Sequence, residues 1–340
     1  IRMINVKKQL SLTPVQEFEG TWKQAIGDSI INFSAAGYFF AKRLHKKLNV
    51  PIGIIHASWG GTDIEAWTSR AKLSTLDVLD DTMSNYGALI ENASRSHEWF
   101  SQFESEKSPS DIWYLFIEDP HGVPEQWKHF DFRDEPYITS KDTDYDSWKQ
   151  IKIPGSIDNI YETNDFDGAI LIQKAFTLTA IKGDYSLRLG AVNDMDFTYL
   201  NGELIGSTMG KPSANTRTYK IPKNILKVGE NSIVIRVVNQ YKEGNVGSVS
   251  LLHSESAPID LDGTWNYKVS AEVYHSLSAH SWPYIDFYFY NKASIDFSKR
   301  PAVTTYNQNS KSSLFNGMIN PLVPYDIKGT IWYQGENNIL

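Results

Sequence analysis

Two textures of hydrophobic and polar positions alternate along this chain. Over residues 33–48, Tyr38, Ala41, Leu44 and Leu48 fall near the spacing of one helix face, and basic residues crowd the last turn, where the helix dipole favours them. Ser29 or Asn32 is the expected cap, and Asn49-Val50-Pro51 ends the helix. The apolar run Ile52–Ser58 reads as a short buried strand. It leads through Trp59-Gly60-Gly61-Thr62-Asp63 into a helix beginning Ile64-Glu65-Ala66-Trp67. Helix, buried strand, Gly turn, helix is an α/β pattern. Residues 76–105 are again helical in tone.

From about Asp144 the period shortens to two. Ala169–Phe176, Tyr185–Leu189, Phe197–Leu200, Ser232–Val238 and Val249–His253 alternate between Gly, Asn and Asp punctuation, and 261–269 looks like one more strand. That pattern predicts an antiparallel β-sandwich, with turns at Asp167-Gly168 and Asn201-Gly202 and with Trp148 and Trp265 packed on its cores. Residues 276–313 are irregular and aromatic. The apolar run Lys328–Tyr333 then meets the polar turn Gln334-Gly335-Glu336-Asn337-Asn338. A buried parallel strand reads this way when it delivers polar side chains to a site at its carboxyl end. The strands at 52–57 and 328–333 are expected side by side and parallel. The expected organisation is an α/β domain over 1–75, a helical connection over 76–143, a β insertion over 144–275, an irregular connection over 276–313, and the α/β domain resumed at 314–340. The layer covering the last strand is expected to lie outside these residues.

Composition narrows the function classes. At 340 residues with 41% hydrophobic positions the chain can bury more than one core. A net charge of −7 disfavours nucleic acid as a partner, and no apolar run is long enough to span a membrane. The absence of Cys excludes disulfides and thiolate metal sites. The 10 Trp and 18 Tyr fit either a carbohydrate-facing surface or a Trp-rich sandwich core.

Two separated motifs carry candidate chemistry. Ser58-Trp59-Gly60-Gly61-Thr62 with Glu65-Ala66-Trp67-Thr68, and Trp332-Tyr333-Gln334-Gly335-Glu336-Asn337-Asn338, resemble the sialate O-acetylesterase family, carbohydrate acetylesterases of the SGNH-hydrolase superfamily. Phe33-Ser34-Ala35, Pro51–Ile55 and Asn316–Ile319 look like that family's approaches to the two motifs. The middle of the chain resembles the galactose-binding-like jelly-roll modules of β-galactosidases, through Phe166-Asp167-Gly168, Leu187–Gly190, Leu200–Glu203 and Leu226–Asn231. The fold this implies is a discontinuous, flavodoxin-like three-layer α/β hydrolase domain with an inserted all-β jelly roll.

The resemblance also implies roles. The Gly61 N–H and the Gln334 amide would donate to the oxyanion. Glu336 would orient the base or brace the Gln, and Asn338 would tie the loop together; Asn337 departs from the Ser more usual there. Neither a cofactor nor a metal is implied. The family's nucleophile lies in a Gly-Gln-Ser-Asn turn and its base in an Asp-x-x-His segment; neither occurs in this sequence, so residues 1–340 alone are expected to be catalytically incomplete. Gly27-Asp28-Ser29 imitates the nucleophile block of many SGNH hydrolases but lacks the apolar strand that should precede it. His56 is the histidine best placed to touch the site, in a packed or hydrogen-bonded role rather than as a base, and the histidines near Glu118 and Glu272 lack enough further ligands for a metal.

The implied function is removal of O-acetyl groups from sugars or glycans, most specifically sialates, by a secreted or periplasmic enzyme, although no signal peptide is visible. The competing readings are a non-catalytic carbohydrate-binding protein acting through the β-sandwich and a purely structural scaffold.

Overall fold

The computed structural model describes residues 1–76, 86–110, 123–161, 166–209, 215–240, 243–274, 285–291, 295–303 and 307–338. The chain divides into two compact units: residues 1–95, 275–281 and 304–340, and residues 96–274 with 282–303.

In the first unit, β1 (Arg2–Asn5) is central in a three-stranded sheet, flanked by the short antiparallel β2 (Lys23–Gln24) and by the parallel β3 (Gly53–His56). Helix α1 (Ala35–Leu48) precedes β3. Its cap is Ser34, whose Oγ accepts from the Gly37 N–H at 3.2 Å, and Asn49 ends it at φ 51°. Ser29, expected as that cap, instead donates its hydroxyl to the Gln24 and Ile26 carbonyls in a separate turn. After β3 come a short helical turn at Ile64–Trp67 and α2 (Arg70–Leu73), then α3 (Tyr86–Ser101), of which residues 86–95 belong to this unit and residues 96–101 to the second.

The expected three-layer α/β hydrolase domain does not form. The chain is mostly β, and the first unit has only this small sheet. Residues 328–333 make no strand, and β3 takes β1 as its parallel neighbour instead. The physical reason is coverage. A doubly wound sheet needs its central strands flanked and covered on both faces, but β3 is an edge strand with only half-buried side chains. Trp59 and Trp67 are buried, whereas Trp332 is 57% exposed and Tyr333 is 91% exposed. Apolar composition alone built no ladder at 328–333.

The second unit is an antiparallel β-sandwich. Its strands are β4 (Ser105–Lys107), β5 (Lys149–Ile153), β6 (Gly155–Ser156), β7 (Gly168–Leu178), β8 (Tyr185–Leu189), β9 (Met195–Leu200), β10 (Glu203–Thr208), β11 (Arg217–Lys220), β12 (Gly229–Asn239), β13 (Asn245–Val246), β14 (Val249–His253), β15 (Ile259–Asp260), β16 (Gly263–Val273) and β17 (Asp286–Phe289). The large sheet runs β10-β9-β12-β7-β16-β17-β4, with β5 also on β16, and the smaller one runs β11-β8-β14-β15. All five alternating runs are strands. Asn201 and Gly202, at φ 52° and 88°, make the tight turn joining β9 to β10, as a two-residue hairpin requires. Asp167-Gly168 is not a turn: Gly168 opens β7, and a Cβ there would meet the Ala271 carbonyl oxygen at 2.3 Å.

The central strands are buried on both faces. On β12, Ile233, Ile235 and Val237 face the core shared with Leu187, Leu189 and Leu251 of the smaller sheet. Between them Val234 packs with Ile138, and Val238 joins an aromatic cluster that includes Trp127, Phe132 and Phe287. Trp265 lies in the inner core at 1% exposure, its Nε1 donating to the Leu261 carbonyl, and Trp148 packs on the Ile138 cluster.

This double burial traps ion pairs. Arg236 on β12 meets Asp134 through Nε at 3.0–3.1 Å and donates to the Tyr199 hydroxyl at 3.0 Å; Asp134 is 1% exposed. Removing one member strands the other charge in a dry layer. Asp134→Ala is therefore expected to lower stability by about 3–5 kcal/mol, read from chemical denaturation of the sandwich; a loss below about 1 kcal/mol, the scale of an exposed pair, would contradict this account.

Candidate functional site

The residues after β3 turn sharply. Gly61 sits at φ +68°, a conformation that favours glycine, and a Cβ there would point into open space. Thr62 is buried beneath the turn. Its hydroxyl donates to the Trp59 carbonyl at 2.7 Å and accepts from Trp67 Nε1 at 2.8 Å, which locks the two motif tryptophans to the turn. The helical turn Ile64–Trp67 then begins. Its N-cap residue, Asp63, makes no side-chain cap of its own, which leaves its first N–H groups in need of acceptors.

The other motif supplies them. Asn338 Oδ1, 274 residues away, accepts from the Ile64 N–H at 2.9 Å, and Asn338 Nδ2 donates to Glu65 Oε2 at 2.9 Å. Asn337 Nδ2 donates to Asp63 Oδ1, and the Asp63 N–H donates to Asn309 Oδ1 at 3.1 Å. Gln334 Nε2 donates to the Thr62 carbonyl at 3.1 Å and to Asn338 Oδ1 at 2.9 Å. Both neighbours are acceptors, which fixes which end of the Gln334 amide faces them. Gln334, Asn337 and Asn338 are thus brought onto the turn that carries Gly61.

Three details refine the roles implied by resemblance. The Gln334 amide commits both hydrogens to protein acceptors, so in this conformation it braces the turn. The Gly61 N–H has no hydrogen-bond partner among the described residues. Glu336 opens a last helical turn, and its carboxylate near the Tyr333 hydroxyl raises that phenol's pKa; among the described residues it meets no histidine. Sequence reasoning missed Asn309 and gave no role to Asp63 or Asn337, which it named only as members of the two motifs. The available signal was the density of Asn and Asp around both motifs, residues suited to bonding backbone groups in turns.

His56 ends β3 between Asn5 and Ser58. Its Nδ1 lies 3.1 Å from Asn5 Oδ1 and its Nε2 lies 2.7 Å from Ser58 Oγ. A similar Ser–His contact, Ser256 Oγ to His253 Nδ1 at 2.7 Å, occurs in the sandwich unit, so such a contact does not by itself mark a site. His121 and His275 lie outside the described residues, and no group of three or more His, Asp or Glu among the described residues is placed to hold a metal. No helix of the described residues is long and apolar enough to cross a membrane.

No family model matches the chain. The sialate O-acetylesterase of Homo sapiens is 36% identical over 66 residues, 19% of this chain and 13% of that protein. The sialate O-acetylesterase of Rattus norvegicus is 44% identical over 45 residues, 13% of this chain and 8% of that protein. The chain thus spans only a small fraction of the length of these curated relatives. Among solved structures, a β-glucuronidase of Bifidobacterium dentium is similar over 31% of this chain and 17% of its own, at 20% identity and a TM-score of 0.27. A likeness that low decides nothing about the site.

The environment of His56 has a pH consequence. Burial holds its imidazole pKa below the ordinary value. The folded state therefore binds fewer protons than the unfolded one, and stability rises with pH. The contribution is complete above about 6.5, the unfolded value, and is lost as pH falls through the folded value. Urea midpoints of the first unit between about pH 5 and pH 7.5 should fall on acidification, and His56→Gln should flatten that slope; an unchanged slope would contradict the burial argument.

Proposed function

We propose that this chain forms part of a carbohydrate O-acetylesterase, of the sialate O-acetylesterase kind, that removes O-acetyl groups through a serine acyl-enzyme. The observation that supports this most is the docking of residues 334–338 on 61–65, while the Gly61 N–H has no partner among the described residues and a side chain there would meet nothing. An ester carbonyl that becomes tetrahedral places negative charge on its oxygen, and a fixed backbone donor aimed there stabilises it. In this reading Gly61 donates to that oxygen. Gln334 and Asn338 hold the turn so that the donor need not reorganise, and Asn337 fixes Asp63.

The nucleophile and base come from outside residues 1–340, because this sequence contains neither a Gly-Gln-Ser-Asn turn nor an Asp-x-x-His segment. The serine oxygen attacks the acetyl carbon while its proton passes to the base. The sugar oxygen then leaves, taking that proton, and water hydrolyses the acetyl-serine. The substrate class implies a secreted or periplasmic protein.

The test uses the longer protein that contains these residues and an O-acetylated sialic acid. Gln334→Ala should reduce kcat by about 10²–10³ with KM within a few-fold, the split expected when support for a transition-state donor is lost. A rise in KM with kcat unchanged would refute this role. Residues 1–340 alone should turn over an aryl acetate no faster than their Ser29→Ala, His56→Ala and Ser58→Ala variants. Robust turnover abolished by one of those changes would place the chemistry inside this chain.

A further inference from the structure

The sandwich unit contains a cleft that the esterase reading does not use. Along one edge, β16 is flanked by β5 over residues 263–267 and by β17 over residues 271–273, which leaves Lys268–Ser270 in a gap between two strand partners. A cleft of about 630 Å³ opens beside this gap, walled by Tyr137, Trp148, Tyr161, Tyr267 and Phe297, with Lys268 among its lining residues. The size falls in the usual range for small-ligand sites, about 300–1,000 Å³.

Two polar groups of its lining residues have no ion-pair or hydrogen-bond partner among the described residues. The first is Lys268. Each of three buried arginines of this unit meets a carboxylate: Arg217 with Asp196, Arg236 with Asp134 and Arg300 with Glu272. Among the described residues, no carboxylate lies within ion-pair reach of the Lys268 ammonium, which sits over the Tyr137 ring at 4.7 Å. Burial pushes its pKa down, the mark of a cation partly stripped of water without a compensating anion. The second is the Tyr161 hydroxyl, which is buried with no hydrogen-bond partner among the described residues. An unpaired buried hydroxyl has lost its water without a replacement partner. Asp142, Asp144 and Lys149 also border the cleft, but they are exposed, where water and salt screen them.

Aromatic walls suit the C–H faces of a pyranose, the orphan hydroxyl suits a sugar hydroxyl, and the half-buried ammonium suits a carboxylate. We propose that this cleft is a saccharide-binding site selective for sugars that carry a carboxylate, with Lys268 pairing the carboxylate and Tyr161 bonding a ring hydroxyl. It goes beyond the esterase reading and does not depend on it, because every residue involved belongs to the sandwich unit.

Isothermal titration of the intact protein with N-acetylneuraminic acid, glucuronic acid and neutral galactose tests the proposal, with no turnover measured. Lys268 and Tyr161 belong to the sandwich unit and take no part in the Gly61 turn, so the effect of their substitutions on binding separates this site from the esterase site. The acidic sugars should bind saturably and more tightly than galactose. Lys268→Met should weaken them by about tenfold or more, the scale of a lost charge-assisted hydrogen bond, while Lys268→Arg retains binding. Tyr161→Phe should weaken all bound sugars a few-fold. Absence of saturable binding by both acidic sugars, galactose binding as tight as theirs, or Lys268→Met binding with unchanged Kd at unchanged near-ultraviolet circular dichroism would each overturn the proposal.

Discussion

The carboxamide of Asn338 is the interaction on which the candidate site depends. Its oxygen accepts from the Ile64 N–H and from Gln334, and its nitrogen donates to Glu65. The first N–H groups of a helix have no acceptor within the helix, and a local Ser, Thr, Asp or Asn usually supplies one. Asp63 stands at that place but does not cap; its carboxylate is taken by Asn337. The cap therefore comes from the other motif. This arrangement makes the geometry around Gly61 conditional on residues 334–338 being docked, and joins two stretches that are remote in sequence into one chemical unit.

The sandwich was legible because its signals are local. Alternation placed the five strand runs, and Asn201-Gly202 specified its hairpin turn through two positive-φ positions. What was not legible depended on neighbours. Gly168 reads as a turn residue, yet it is glycine because the Ala271 carbonyl approaches it across the sheet. Asp134 and Arg236 are ordinary charges in the sequence and become a buried pair only when an aromatic layer closes over the sheet. The segment 328–333 has the composition of a buried strand, but composition does not supply a strand to pair with or a layer to cover it, and its apolar side chains remain exposed. At the site, the motifs identified the right neighbourhood but not the mode of contact. The Gln334 amide faces two protein acceptors, a commitment that no spacing reveals.

The two units answer the same physical demand differently. In the sandwich, backbone groups are satisfied by long ladders, and side-chain charges are satisfied in pairs under aromatic cover. In the first unit the sheet is small, and side-chain amides from Asn309, Gln334, Asn337 and Asn338 bond the backbone and side chains of a turn. Among the described residues some polar groups remain without partners, and the candidate chemistry rests on three of them: the Gly61 N–H, and in the sandwich the Lys268 ammonium and the Tyr161 hydroxyl.

The central claim is that the two motifs meet through side-chain amides at the Gly61 turn. The most direct measurement is nuclear magnetic resonance of the Gln334 side-chain NH2 together with the Ile64 backbone amide. The account predicts dispersed Gln334 side-chain signals, cross-relaxation linking them to Thr62 and Asn338, and slow exchange of the Ile64 amide with solvent. Random-coil side-chain shifts with no such cross-relaxation, and an Ile64 amide exchanging at the rate of an unstructured peptide, would contradict it.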